Sequence, residues 1–227
     1  MSVPKPTLYL LGIPLDGDVG GLEKTKSILE NSDIIFGEEP RVASTFLKKW
    51  GVTKPFLTWN EHTTKEEKEE YFAKIDSANQ VSFFSDIGMP CIEDPGTELV
   101  DYFHLRGYTL RSLPGPTALT TAIALCGYKS SPFTFLGFPP RETRERKEFL
   151  KKILRKEELL VFYETPYRYK QLVETLRECG FRGELFLGLN LGTSEEMVFR
   201  KPIEKLIQEF PKLPKCPPVI ILPPRKL

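Results

Sequence analysis

Cysteine and histidine are scarce in this chain of 227 residues, which has four cysteines and two histidines. The cysteines are widely separated, no C-x-x-C pair occurs, and His62 lies far from His104. Tetrahedral zinc sites need closely spaced pairs of these residues, so no structural zinc site is expected. Without a disulfide framework, the thiols are expected to be reduced and mostly buried.

Signature motifs of several enzyme classes are absent as well. No G-x-G-x-x-G follows the first apolar segment, no G-x-x-x-x-G-K-[ST] occurs, and no serine lies in a G-x-S-x-G elbow. These absences argue against a Rossmann dinucleotide site, a P-loop and an α/β-hydrolase nucleophile. The two distant histidines give no support for metal catalysis either.

Long hydrophobic runs are missing too. No apolar run approaches the roughly 18 residues of a membrane helix, and the start MSVPKPTLYL lacks the layout of a signal peptide. Apolar residues make up 40% of the chain and charged residues 28%, as in soluble globular proteins. We therefore expect a cytoplasmic protein with no membrane partner.

Short apolar segments alternate with helical segments along the whole chain. Segments such as TLYLLGI, DIIFGEE and VSFFSD favour strands, and amphipathic stretches of helical period separate them. This alternation predicts βαβ units, hence an α/β fold with mostly parallel strands. The Pro-Gly-Pro turn after residue 113 interrupts it. We therefore predict an N-terminal domain over residues 1–113 and a C-terminal domain with a mixed sheet over residues 114–227.

The two predicted domains differ in charge. Residues 1–113 contain 12 basic and 18 acidic side chains, whereas residues 114–227 contain 20 basic and 13 acidic ones. The C-terminal half is therefore suited to an anionic surface, although a chance imbalance of solvated faces would look the same.

The predicted strand ends carry the residues suited to chemistry. In parallel sheets a ligand lies beyond the carboxyl ends of the strands, here residues 12–17, 37–41 and 85–96. These segments are rich in glycine, proline and acids. Glycine permits close approach of backbone to a ligand, and a carboxylate such as Asp86 can accept hydrogen bonds from a ribose. They predict a nucleoside-like ligand; the alternative is that Asp86 only caps a turn.

The segment SDIGMPCIEDPG at 85–96 closely resembles the S-D-A-G-T-P-L-I-S-D-P-G signature of the tetrapyrrole methylase superfamily. The resemblance is to the branch that methylates small-subunit ribosomal RNA. Further blocks follow in the order of that branch, from about residue 8 to residue 222: LYLLGIP, DIIFGEEPR, LPGPTALTTAIALCG, FTFLGFPPRETRERKEFL and VFYETPYR.

This resemblance implies two α/β domains with S-adenosylmethionine in the cleft between them, and a homodimer. It also implies a set of residues that contact the cofactor, matched by motif: Leu15, Asp86, Gly88, Met89, Thr117, Ala118, Tyr163 and Asn190.

The implied reaction is methyl transfer to the 2′-hydroxyl of a cytidine in small-subunit ribosomal RNA. A hydroxyl loses its proton during the transfer, so a nearby carboxylate is a reasonable base. The candidates for catalysis are Glu38, Glu39, Arg41, Glu164 and Arg168. The alternative is that these residues form a structural ion pair across the domain interface.

The strongly basic segment 141–156 is the predicted RNA contact on this reading. Arg141, Arg144, Arg146 and Lys147 would face phosphates. The alternative is a solvated helix with Glu142–Arg146 and Glu148–Lys152 pairs four residues apart.

The chain also departs from the family pattern on the acceptor side. GLNLGTSEE at 188–196 stands where the branch has an A-R-E-L-T-K run, and KCPPVIIL replaces K-G-E-x-V-L-I. Two alternatives therefore stay open: a methyltransferase of a tetrapyrrole or other small molecule, and a non-catalytic protein that binds S-adenosylmethionine.

Overall fold

The computed structural model describes residues 5–225 and forms two compact units, the first ending at Thr117 and the second beginning at Ala118. Each unit is a five-stranded sheet with helices packed on it, so the predicted α/β class is confirmed. The break between the units falls four residues after the predicted one, because the Pro-Gly-Pro turn packs with the first unit rather than the second.

The first unit is a parallel sheet in the order β3-β2-β4-β1-β5. Each of the first four strands is followed by a helix of the same unit, as the alternation of patterns predicts. Its elements, in chain order, are β1 (Thr7–Leu11), α1 (Glu23–Asn31), β2 (Ile34–Gly37), α2 (Pro40–Trp50), β3 (Leu57–Thr58), α3 (Lys65–Ile75), β4 (Gln80–Phe84), α4 (Thr97–Leu105) and β5 (Thr109–Leu113).

Two apolar layers enclose this sheet. Phe46 and Trp50 of α2 pack on one face with Phe84 of β4, while Ile75 of α3 and Phe103 of α4 pack on the other. The central strands β1, β2 and β4 are largely buried, which is why they read in the sequence as short continuous apolar runs. Thr64 forms the N-cap of α3, as part of a capping box with Glu67.

The second unit is a mixed sheet in the order β6-β7-β10-β8-β9. β6 and β7 run parallel, and β10 is antiparallel to both of its neighbours. The carboxyl ends of β6, β7 and β8 therefore lie at one edge. The elements are α5 (Ala118–Cys126), β6 (Phe133–Phe135), α6 (Thr143–Ile153), β7 (Leu159–Tyr163), α7 (Tyr169–Glu178), β8 (Glu184–Leu189), β9 (Met197–Pro202), α8 (Ile203–Glu209), a 3₁₀ turn (Phe210–Lys212) and β10 (Pro218–Leu222).

Three helices cover one face of this second sheet and one helix contacts the other. Leu150 of α6, Leu172 of α7 and Leu206 of α8 share a core with β7, β8 and β10, and Ala122 of α5 packs on the opposite face. Burying each large apolar side chain contributes about 1.5–3 kcal/mol. The described part of the chain contains no helix with the length and apolarity to span a membrane.

Candidate functional site

Three loops meet at the carboxyl edge of the first sheet, where β4, β1 and β5 are neighbours. The backbone of Ile13 exchanges two hydrogen bonds with that of Gly88, at 2.7 and 2.9 Å. Gly12 faces Gly115 so closely that a Cβ on Gly12 would lie 2.3 Å from the Gly115 nitrogen. The loops therefore touch through main chain, and only glycine fits at this point.

The side chains around this contact are those expected from the signature. The Gly115 amide donates a hydrogen bond to Sδ of Met89 at 3.2 Å. Gly88 has φ +81°, and a Cβ there would meet the Pro116 carbonyl and the Leu15 side chain. Leu15, Gly88 and Met89 are thus brought together, and buried Thr117 follows directly in the chain.

The ends of β2 and β4 are joined by a reciprocal pair of hydrogen bonds between acidic residues. The Asp86 amide donates to Oε2 of Glu38 at 3.1 Å, and the Glu39 amide donates to Oδ1 of Asp86 at 3.2 Å. Burial raises the pKa of Glu38, and the charge of Asp86 adds to this. Burial, with the charge of Glu39, likewise raises the pKa of Asp86. Asp86 therefore links the end of β4 to the segment between β2 and α2, inside a cluster of carboxylates.

Asp94 also belongs to this acidic cluster, although the sequence analysis does not select it. Burial, followed by the charge of Glu38, raises the pKa of Asp94 to about 7. The loop around it is strained: Cys91 has φ +69° and Glu93 has φ +61°. Non-glycine residues in this region each cost about 1–3 kcal/mol and concentrate at functional sites. The sequence signal that could have identified Asp94 is the D-P-G at the end of the signature, of which Asp94 is the first residue.

Glu39 and Arg41 differ from Glu38 in exposure. Both are exposed at the start of α2, whereas the Glu38 side chain is partly buried. Of the three catalytic candidates in the first unit, only Glu38 combines partial burial with a raised pKa.

In the second unit, Tyr163 lies against the start of α5. The Leu119 amide donates a 2.8 Å hydrogen bond to the Tyr163 hydroxyl, which places Tyr163 beside Ala118. Phe135 and Phe138 both pack edge-on against the Tyr163 ring. Asn190 directly follows β8. Because β7 and β8 are both antiparallel to β10, they run in the same direction, so Asn190 lies at the same edge of the sheet as the end of β7. It has φ +49°, and its carbonyl accepts hydrogen bonds from the amide and hydroxyl of Thr193.

Glu164 and Arg168 form an ion pair within the second unit. Oε2 of Glu164 lies 3.0 Å from Nη2 of Arg168, and the Glu164 side chain is fully buried. Oε1 accepts a 2.7 Å hydrogen bond from the Thr165 amide. Burial raises the pKa of Glu164, while that amide and Arg168 oppose the rise. Both partners belong to one unit, so this pair is not the one expected across the domain interface.

The basic helix differs from its prediction in length and in contacts. It spans Thr143–Ile153 rather than 141–156. It begins at Thr143 because the Glu142 side chain caps it by accepting hydrogen bonds from the amides of Arg144 and Glu145. Glu142 is therefore not paired with Arg146. Ion pairs join Arg144 to Glu148 at 3.1 Å and Lys147 to Glu178 at 2.9 Å.

The predicted phosphate contact of Arg146 is wrong. Its side chain points inward and the residue is only 2% exposed. Its Nη1 donates to the Arg141 carbonyl at 2.9 Å, and Nη2 lies 3.3 Å from the Thr143 hydroxyl. A basic residue in a basic segment carries no sequence mark of burial. Of the four residues predicted to contact RNA phosphates, only Arg141 is both exposed and without an ion pair to any residue between 5 and 225.

The comparisons with known proteins agree with one another. A model of the family "Tetrapyrrole (Corrin/Porphyrin) Methylases" matches residues 7–207. The chain is similar to proteins named ribosomal RNA small subunit methyltransferase I. That of Leptospira borgpetersenii is 41% identical over 96% of this chain and 88% of its own length. That of Thermotoga maritima is 31% identical over 90% of this chain and 92% of its own.

Solved structures share the fold at low identity. Diphthine synthase matches with a TM-score of 0.69 at 14% identity, covering 98% of this chain and 91% of that one. The uroporphyrin III C-methyl transferase of Thermus thermophilus matches with a TM-score of 0.64 at 16% identity, covering 96% and 97%.

The contact between Gly12 and Gly115 predicts a strong effect of a single methyl group. Gly12→Ala should lower the free energy of unfolding by about 1–3 kcal/mol, because the Cβ meets backbone that cannot move aside alone. Gly20→Ala is the matched control, since its Cβ would meet only the flexible Asp18 side chain, at 3.1 Å. Urea denaturation of both variants measures the difference. Equal stability of Gly12→Ala and wild type would mean that the loops do not touch.

The raised pKa of Asp94 predicts a stability that depends on pH. The folded protein holds this proton more tightly than the unfolded chain, so the stabilisation is complete below pH 4 and is lost as pH rises through 7. Asp94→Asn has no proton to lose, and should gain about 1–2 kcal/mol over wild type between pH 5 and pH 8. Asp101→Asn, an exposed change on α4, should show no such gain. A difference in stability between Asp94→Asn and wild type that does not change with pH would contradict the raised pKa of Asp94.

Proposed function

The chain belongs to the tetrapyrrole (corrin/porphyrin) methylase family, and we propose that it transfers a methyl group from S-adenosylmethionine to small-subunit ribosomal RNA. The observation that carries the proposal is 41% identity, over 96% of the chain, to a protein named for this reaction. Resemblance to the branch further points to the 2′-hydroxyl of a cytidine as the acceptor.

The first unit has features suited to such a cofactor. At the Gly12–Gly115 contact the loops after β1 and β5 pack backbone against backbone, and Gly88, with φ +81°, brings in the loop after β4. The carboxylate of Asp86 can accept hydrogen bonds from ribose hydroxyls. We propose that Leu15, Asp86, Gly88, Met89 and Thr117 of the first unit contact the cofactor, and the family resemblance extends this proposal to Ala118, Tyr163 and Asn190.

The sulfonium methyl of S-adenosylmethionine is already activated for transfer. The protein therefore has to align the acceptor oxygen with that carbon and exclude water. A hydroxyl acceptor must also release its proton. We propose Glu38 for that proton, because its carboxylate is partly buried and its pKa is raised. Glu39 and Arg41, exposed beside it, are proposed to contact the acceptor, while Glu164 and Arg168 hold loops of the second unit in place.

A tetrapyrrole or another small molecule is the second candidate acceptor. The solved uroporphyrin methyltransferase favours it only through the fold, since identity is 16%. The much higher identity to proteins named for ribosomal RNA favours RNA. The departure at 188–196 also has a local explanation, because Oε2 of Glu196 closes the turn by accepting from the Gly192 amide at 2.8 Å.

The remaining expectations follow from the same proposal. An enzyme that modifies the small ribosomal subunit works where ribosomes are assembled, in agreement with a cytoplasmic location. The family resemblance also implies a homodimer, which analytical ultracentrifugation tests by showing a species of twice the 26.0 kDa chain mass.

Asp86 gives a sharp test of cofactor binding. Asp86→Asn keeps an oxygen for the Glu39 amide but removes the charge, so stability should hold while affinity for S-adenosylhomocysteine falls by about 1–3 kcal/mol. Titration calorimetry measures the affinity, with Asp101→Asn as the control. Loss of stability with unchanged affinity would mean that Asp86 serves only the turn.

Methyl transfer itself is tested with radiolabelled S-adenosylmethionine and purified small subunits from cells that lack the gene. We expect label in the ribosomal RNA and none when subunits already carry the modification. Label transfer to uroporphyrinogen, with none to RNA, would contradict the proposal and support the second candidate.

A further inference from the structure

Two exposed aromatic side chains stand on neighbouring loops of the second unit. Phe138 is 45% exposed on the loop after β6, and Tyr167 is 79% exposed on the loop after β7. β6 and β7 are parallel neighbours, so the two loops leave the sheet at the same carboxyl edge. This is the edge at which α/β sheets bind ligands.

Arginines tie the two loops together. Nη2 of Arg168, next to Tyr167, donates to the carbonyls of Pro139 and Pro140 at 2.8 and 3.2 Å. Nη1 of Arg146 holds the same loop through the Arg141 carbonyl, at 2.9 Å. Phe138 directly precedes Pro139, which accepts this hydrogen bond, and Tyr167 directly precedes Arg168, which donates it. The hydrogen bond therefore fixes the positions of the two aromatic residues relative to each other.

The loop after β6 is also held by contacts with Tyr163, at the end of β7. The Tyr163 amide donates to the Gly137 carbonyl at 3.0 Å, and the Phe138 ring packs edge-on against the Tyr163 ring, with centroids 5.9 Å apart. Burying the Arg146 guanidinium is expensive in free energy. Because the buried guanidinium needs the carbonyls of this surface loop as hydrogen-bond acceptors, the loop is held in one conformation.

Exposed cations adjoin both aromatic residues. Arg141 lies three residues beyond Phe138 and makes no ion pair with any described residue. Nζ of Lys215 lies 5.6 Å from the centroid of the Tyr167 ring. The helix α6, in contrast, has Arg144 and Lys147 occupied by glutamates. Aromatic rings interleaved with exposed cations match the requirements of unpaired RNA, whose bases stack and whose phosphates attract positive charge.

We propose that Phe138 and Tyr167 form a stacking platform for unpaired bases of the acceptor RNA, flanked by Arg141 and Lys215 for its phosphates. The inference rests on the proposed RNA methyltransferase function. It locates acceptor recognition on the loops after β6 and β7, rather than along the basic helix.

The chain contains a matched control for this platform. Phe133 is also 45% exposed, but it stands at the beginning of β6, at the opposite end of the strand. Single exposed apolar residues are common on protein surfaces and carry no function by themselves. Phe133→Ala therefore removes the same side chain at the same exposure, without touching the platform.

The test measures binding of a fluorescently labelled single-stranded oligocytidine by anisotropy over a series of salt concentrations. Phe138→Ala and Tyr167→Ala should each lower affinity about 5- to 100-fold, as loss of a stacked base does. Phe138→Trp, Tyr167→Phe and Phe133→Ala should bind like wild type. Arg141→Gln should reduce the slope of log affinity against log salt by about one phosphate contact, while Phe138→Ala leaves that slope unchanged.

The outcomes separate this inference from the proposed function. If wild type methylates ribosomal RNA and the two alanine variants bind oligocytidine normally, the platform is refuted and the function stands. Equal loss in Phe133→Ala also refutes it, and so does loss of binding to intact subunits with unchanged binding to RNA, which would mean a protein contact. If wild type transfers no methyl group to ribosomal RNA, the proposed function fails and the platform fails with it.

Discussion

The close approach of Gly12 to Gly115 is the constraint on which the carboxyl edge of the first sheet depends. A Cβ on either residue would lie within 3 Å of the other's backbone, so the loops after β1 and β5 can meet only without side chains. The Ile13–Gly88 bridge adds the loop after β4 to this contact. With its loops locked by main chain, the edge holds its backbone and a few carboxylates in one arrangement without any ligand.

The two units achieve rigidity in different ways. In the first, acidic residues bridge neighbouring strand ends, and burial, with mutual repulsion adding to it, raises the pKa values of Glu38, Asp86 and Asp94. In the second, guanidinium groups of Arg146 and Arg168 hold loop carbonyls. The acidic cluster suits proton acceptance, and the arginine-held loops suit an anionic polymer. The opposite net charges of the two halves of the sequence therefore have local structural counterparts.

The sequence predicted the fold class well and the contacts of charged side chains poorly. Period and turn residues located the strands and the helices between them, because burial on both faces of a parallel sheet leaves continuous apolar runs. Gly88 of the signature at 85–96 pairs with Ile13 after β1, as loops that leave the carboxyl ends of neighbouring parallel strands can do. Arg146 shows the limit, since a buried arginine and an exposed one look alike in a basic segment. Asp94 was missed because its pKa depends on burial in the folded chain and then on the charge of Glu38, which is far away in sequence.

Nucleoside mass spectrometry of small-subunit ribosomal RNA tests the central claim most directly. Cells with the gene, cells without it and complemented cells are compared for 2′-O-methylated nucleosides. The account predicts that one 2′-O-methylcytidine disappears on deletion and returns with the gene. An unchanged profile across all three strains would contradict ribosomal RNA as the acceptor.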